Sequence, residues 1–319
     1  MRKNIRLKMG LLVICMLAIS TLMAQQEPMY SQYRLNGFLI NPAVAGTQVS
    51  HELRINTRQQ WQSFPGAPRT HTLSYHGRTD EKSGVGAILF SDATGPTLRT
   101  GIQIAYAYRM PVGESGKLGQ NTLSFGFAGK MIQYRLRTER IAFVQANDPA
   151  AVGAGQGITL SDASFGAYWY NDRFFAGISA PNLIQTNFGS YLSTTSNAAL
   201  LSQLYRHYFF MAGYRVEYES FSMEPSLLVK KTTGAPYQIE GTMKWFLANE
   251  QIILGIGYRT DWLFTSFFAY QGNAFILAYS ADFMLTQSRT VGTTFGPSHE
   301  FTLGLDLGRT WSQMYRGEE

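Results

Sequence analysis

From about residue 50 to residue 308, apolar and polar side chains alternate with a period of two, the mark of an extended strand whose two faces meet different surroundings. After Arg99, the side chains of Ile102, Ile104, Tyr106 and Tyr108 share one face, and Gly101, Gln103, Ala105, Ala107 and Arg109 share the other. The same sorting sets Ile239, Met243, Trp245 and Leu247 against Gln238, Glu240, Thr242 and Lys244. Near the end it sets Phe301, Leu303, Leu305 and Leu307 against Thr302, Gly304, Asp306 and Gly308. Helical spacing fits none of these stretches.

The alternation predicts about fourteen strands, over 51–60, 69–78, 83–91, 99–110, 120–134, 161–170, 173–180, 206–218, 221–231, 236–247, 250–259, 262–271, 274–283 and 298–308. Most are ~9 to 12 residues, the length a tilted strand needs to cross a bilayer; sandwich strands cluster at ~5 to 6. Aromatic residues near strand ends, among them Tyr108, Trp169, Tyr170, Tyr258, Trp262 and Tyr279, suit the interfacial girdles of such a protein. The expected fold is all-β: a transmembrane antiparallel β-barrel of about fourteen strands, closed because an open sheet edge in lipid would leave backbone groups unpaired.

Connection lengths give an independent test, since outer-membrane barrels carry short turns on the periplasmic side and long loops outside. If odd-numbered strands run outward, the inner connections are 79–82, 111–119, 171–172, 219–220, 247–249 and 272–273. All but one are short. The outer side then receives the two longest, 135–160 and 181–205, and the fairly long 284–297. The long loops are rich in Gly, Ser, Thr and Asn and read as surface segments.

Composition agrees with the pattern. Charged residues make up 15% of the 319, against roughly 25% in ordinary soluble domains, and 21 Phe, 18 Tyr and 5 Trp exclude an unfolded polymer. The first 24 residues read as a signal peptide, with a basic start at Arg2, Lys3, Arg6 and Lys8, an apolar stretch from Met9 to Met23, and Ala24 before Gln25 and Gln26. Its four basic residues take the formal charge of +6 down to +2, which removes the case for nucleic-acid binding. The one cysteine, Cys15, leaves with it, so no disulfide, thiolate metal site or cysteine nucleophile is expected. The chain then divides into a signal peptide (1–24), an N-terminal periplasmic segment (25–50), the barrel (51–308) and a C-terminal tail (309–319).

Residues 30–46, Tyr-Ser-Gln-Tyr-Arg-Leu-Asn-Gly-Phe-Leu-Ile-Asn-Pro-Ala-Val-Ala-Gly, are followed by Arg58, Gln60-Trp61 and Pro65. Further on stand Gly95-Pro96, Leu123-Ser124-Phe125-Gly126 and Ser298-His299-Glu300. This ordered set closely resembles the PorP/SprF family of type IX secretion system outer-membrane proteins. The tail from Arg309 to Glu319 departs from it by running past the point where the family's closing strand ends. The resemblance implies an outer-membrane protein of a Gram-negative bacterium that works with other type IX components, periplasmic ones included. It also implies a secreted partner, often a large adhesin of gliding cells, held through that partner's C-terminal domain.

Within this motif Pro42 fixes its own φ and biases Asn41 towards extended geometry, while Gly46 permits a turn. Asn41, Pro42, Gly46, Gln60 and Trp61 are therefore candidates for a plug or a periplasmic docking surface. A second set, Arg109, Lys130, Arg215, Glu240, Lys244, Arg259, Asp282 and Asp306, is expected to point into the lumen with both signs represented. Such charges must pair or stay hydrated. They form either a ladder of ion pairs stiffening the wall or a polar cavity that a ligand or partner segment enters.

No catalytic, cofactor or metal site is expected. Ser74 and His76 share a strand face and could serve a barrel lipase as nucleophile and base. Alternation, however, turns them to the polar side while Leu73 and Tyr75 face lipid. His71 and His76 lie on opposite faces and cannot share a metal. Two function classes remain: a non-enzymatic secretion and anchoring barrel, and an outer-membrane channel for small or hydrophobic solutes.

Overall fold

The computed structural model describes residues 30–113, 119–137, 157–186, 204–260, 262–285 and 295–308. The signal peptide, most of the two long loops, the greater part of 284–297 and the tail from 309 lie outside the described residues.

The strands are β1 (His51–Gln59), β2 (Arg69–Arg78), β3 (Ser83–Thr94), β4 (Thr97–Pro111), β5 (Thr122–Leu136), β6 (Ile158–Tyr170), β7 (Phe174–Ala180) and β8 (His207–Tyr214). They continue with β9 (Val216–Glu217), β10 (Ser222–Thr232), β11 (Gln238–Leu247), β12 (Ile252–Arg259), β13 (Leu263–Gln271), β14 (Phe275–Met284) and β15 (Ser298–Leu307). The two-residue β9 continues β8 past Arg215, and both pair with β10, so the wall has fourteen staves. Each stave is antiparallel to its neighbours. The sheet closes where β1 meets β15, with His51 opposite Leu307 and Gln59 opposite His299.

Closure follows from the surroundings. In hydrocarbon each unpaired N–H or C=O costs several kcal/mol, and a sheet has no free edge only when it is closed. The alternation supplies the two faces. On β4 and β5 the residues Ile104, Tyr106, Phe127 and Met131 point outward and are more than half exposed, whereas Ala105, Ala107, Ala128 and Lys130 are buried inside. Strands β3 to β6 run several residues further than the alternation alone indicates. Inside their tall end, Ile132, Leu160 and Leu204 pack together with Phe90, Tyr134 and Ile158.

His51 and Leu307 lie at the end that carries the short connections, called here the turn end; the opposite end is the loop end. Ahead of β1, residues 30–47 form three single-turn 3-10 helices, η1 (Gln32–Arg34), η2 (Gly37–Leu39) and η3 (Pro42–Val44). This stretch lies inside the barrel, where the sequence reading set a periplasmic segment over 25–50. It runs from Ser31, bonded to Arg58 near the loop end of β1, down to Thr47, bonded to Arg78 at the turn end. The physical reason is that its polar side chains find partners on the lumen wall.

Candidate functional site

The site is the filled lumen, which runs from the turn end to the loop end. Gly46 adopts φ +70°, which lets the chain reverse into β1, and a Cβ there would lie 2.9 Å from the backbone of Gly84. Arg78 donates to the carbonyls of Gly46 and Thr47 at 3.1 and 3.0 Å and fixes the turn.

The Asn41–Gly46 stretch then lies on a seat of inward-facing glycines. A Cβ on Gly126 would sit 2.2 Å from the Ala43 nitrogen, and one on Gly166 would sit 2.0 Å from Asn41 Oδ1. Only residues without a Cβ allow this approach. The fit is secured by hydrogen bonds. Asn41 Oδ1 accepts from the Ala43 N–H at 2.9 Å and caps η3, in which Pro42 takes the first helical position. The amide of Asn41 donates to the carbonyls of Ala167 and Ile178 at 3.1 and 3.3 Å. Ser124 donates to Ala43 O at 2.7 Å and Ser179 to Ile40 O at 2.6 Å. Phe38, fully buried, packs with Val44 and Ala45 on Ile88, Ala105, Ala107 and Ala128. Burial of that one side chain contributes about 1.5–3 kcal/mol.

Asn41, Pro42 and Gly46 are brought together as a plug and are buried, so they present no surface to a periplasmic partner. Gln60 and Trp61 are not part of this group. They stand at the loop end, where the Gln60 N–H bonds Pro68 O at 2.9 Å and the Trp61 N–H bonds Ser298 Oγ at 3.1 Å. Neighbourhood in sequence did not mean neighbourhood in space, because β1 carries the chain across the membrane between the two groups.

The upper half of the plug is held by charge. Arg58 reaches Asp282 at 2.5 Å and Glu300 at 2.8 Å, and both carboxylates also receive Ser31: its N–H meets Glu300 at 2.6 Å and its hydroxyl meets Asp282 at 2.7 Å. Arg34 pairs with Glu240 and donates to Thr242 at 2.9 Å. Tyr33 donates to Glu240 at 2.8 Å. Asn36 donates to Ser74 at 2.8 Å.

The eight expected lumen charges divide accordingly. Glu240 and Arg259 face one another at 3.8 Å beside Arg34, Lys244 pairs with Glu224, Asp282 meets Arg58, and Asp306 meets Arg54 at 2.5 Å. Arg109 instead donates to the carbonyls of Asp80 and Ser83, at 2.8 and 3.0 Å, and braces a turn. Lys130 stands opposite Asp162 in register. Arg215 lies over the Phe246 ring at 3.9 Å and reaches Glu250 at 3.1 Å. Ion pairs line the wall, and the chain's own residues 30–47 lie between them.

Sequence reasoning missed Arg54 and Glu224, and it met Ser31, Arg34, Asn36, Arg58 and Glu300 only as motif letters. Arg54 and Glu224 have the same inward parity as the residues that were found. Ser74 and His76 serve different partners: Ser74 accepts from Asn36, and His76 lies 3.2 Å from Glu52 with Phe38 against its ring.

A cavity of about 270 Å³ remains between the plug and the wall and reaches the turn end, lined by Tyr33, Thr47, Glu52, His76, Arg173 and Lys244 among others. Above and beside the plug lie smaller voids of about 40 and 10 Å³.

Among solved structures, the chain is similar to the Acinetobacter baumannii outer membrane protein Omp33 at 6% identity, covering 82% of this chain and 100% of that one, with a TM-score of 0.46. It is also similar to the CymD monoaromatic hydrocarbon channel at 10% identity, covering 89% and 93%, with a TM-score of 0.46. A comparison with curated protein sequences returned no match. The family described as type IX secretion system membrane protein PorP/SprF matches residues 22–305. Matched over most of its length, the chain thus belongs to the PorP/SprF family of type IX secretion system membrane proteins, and it resides in the outer membrane.

Proposed function

We propose that this outer-membrane barrel is a closed, non-enzymatic part of the type IX apparatus that helps secrete or anchor a partner protein, such as a large adhesin, at the cell surface through the partner's C-terminal domain. The observation that carries the reading is the plug: residues 30–47 occupy the lumen and are bonded to eight staves among the described residues, so the barrel serves as a scaffold rather than a conduit. The family and the barrel fold themselves point to a non-enzymatic membrane protein.

The partner's grip is assigned to the loop end. The turns Asn171-Asp172 and Gly272-Asn273 are too short for a specific interface, whereas standard interfaces need ~20 to 30 residues a side. The connections 135–160 and 181–205 are long enough, although most of each lies outside the described residues. Other type IX components approach from the periplasm, which the turn end faces.

The test is to delete the gene and compare surface-exposed proteins with and without complementation. Loss of one or a few secreted proteins from the surface, with that protein co-purifying with the complemented barrel from native membranes, is expected. An unchanged surface proteome with slowed uptake of small solutes would favour the channel reading instead.

A further inference from the structure

Outside the barrel, at the seam where the first and last strands meet, the lipid-facing side is not uniformly apolar. A groove of about 380 Å³ runs over β13, β14, β15 and β1, walled by Phe268, Leu277, Phe301, Leu303 and Ile55, with Thr57 and Tyr279 at its loop-end margin. Immediately above it, towards the loop end, the outward positions become polar. Thr57 bonds His71 at 3.2 Å, and His299 joins Tyr279 at 2.8 Å to Gln62 at 2.9 Å. In the next row Arg69 stands opposite Gln59, which stands opposite His299.

We propose that this seam is a specific binding site for an acylated, phosphate-bearing lipid of the outer leaflet, with an acyl chain in the groove and the phosphate against Arg69 and His71. Two kinds of complementarity meet in one place. An apolar trough open to lipid suits an acyl chain, and a cationic, donor-rich rim directly over it suits a phosphate. Arg69 and His71 are exposed. His299 has both ring nitrogens engaged, so it positions Gln62 rather than meeting the ligand itself. The carboxylates of these four strands do not oppose an anion: Glu52, Asp282, Glu300 and Asp306 all turn into the lumen.

The placement in the outer leaflet rests on the proposed orientation, with the loop end at the cell surface. The experiment does not depend on it. Folded, purified barrel in detergent is titrated with diphosphorylated lipid A and with the same lipid stripped of its phosphates, and bound lipid is counted by native mass spectrometry. The expected result is saturable binding of the phosphorylated form, weakened roughly tenfold or more in the Arg69→Gln/His71→Gln double variant, since hydrogen bonds to charged groups are among the stronger ones. Leu303→Trp, which fills the groove, weakens binding while barrel folding is verified by heat-modifiable gel mobility. Equal affinity for the two lipids, no saturable binding, or unchanged affinity in both variants overturns the site. Because no secreted partner enters the assay, either outcome is independent of whether the barrel anchors one.

Discussion

Arg58 on the first strand and Glu300 on the last face each other across the seam at 2.8 Å, and the Ser31 N–H of the plug bonds the same Glu300 carboxylate at 2.6 Å. One buried group therefore links two events that sequence separates by more than 200 residues: closing the barrel and seating the plug.

That link predicts a large effect from a small change. Glu300→Ala leaves Arg58 buried with half its neutralising charge, and removing one member of a buried pair costs about 3–5 kcal/mol. The folded, fast-migrating gel band should convert to the unfolded form at a clearly lower temperature than in the unaltered chain. Conversion at an unchanged temperature would mean that the seam draws its stability elsewhere.

The glycine seat makes a sharper prediction about the plug. Gly126→Ala and Gly166→Ala place a methyl group against the plug backbone and Asn41, whereas a Cβ on Gly129 of the same β5 strand has nothing within 4 Å. With Ser31→Cys as reporter, the two seat variants should become labelled by a water-soluble maleimide in folded barrels, and Gly129→Ala should stay protected. Equal protection in all three would show that the plug tolerates the added bulk.

Much of the wall was legible because lipid and lumen impose opposite chemistry on alternate residues, and that contrast persists for the full length of each stave. Strand ends were less legible at β4 to β6, where the loop-end extensions are held by internal packing of Ile132, Leu160 and Leu204, not by the membrane pattern. The plug was harder still. Its buried residues are polar, among them Ser31, Gln32, Arg34 and Asn36, and in a sequence these look like residues meant for water. Their partners Glu300, Glu240 and Ser74 lie on distant strands. A usable signal did exist: Gly84, Gly86, Gly126, Gly166 and Gly177 all fall at inward positions on β3 to β7, which marks a wall that something approaches closely.

Ser74 and His76 test the non-enzymatic reading. Replacing both with alanine removes the Asn36–Ser74 bond and the His76 contacts to Glu52 and Phe38, which should cost stability at about 1 kcal/mol per net hydrogen bond. Display of the secreted partner should persist as long as the barrel folds. Folded barrels that no longer display it would assign these two residues a direct part in the process.

The last prediction concerns the bore. A barrel of fourteen staves is wide enough to conduct once its interior is clear, since eight-stranded barrels are already filled by side chains and wider ones enclose channels. Here the width is taken up by residues 30–47, anchored by Arg58, Asp282 and Glu300 towards the loop end and by Arg78 at the turn end. The intact protein in a planar bilayer should therefore carry little steady current. Deleting 30–47 should produce stable openings, provided the deleted barrel still migrates as folded before heating. The milder Gly126→Ala change should give transient openings, because it lifts the plug from its seat while every charged anchor residue is retained and can re-engage. Steady conduction by the unaltered chain would mean that the plug does not close the lumen, and it would return the solute-channel reading to first place.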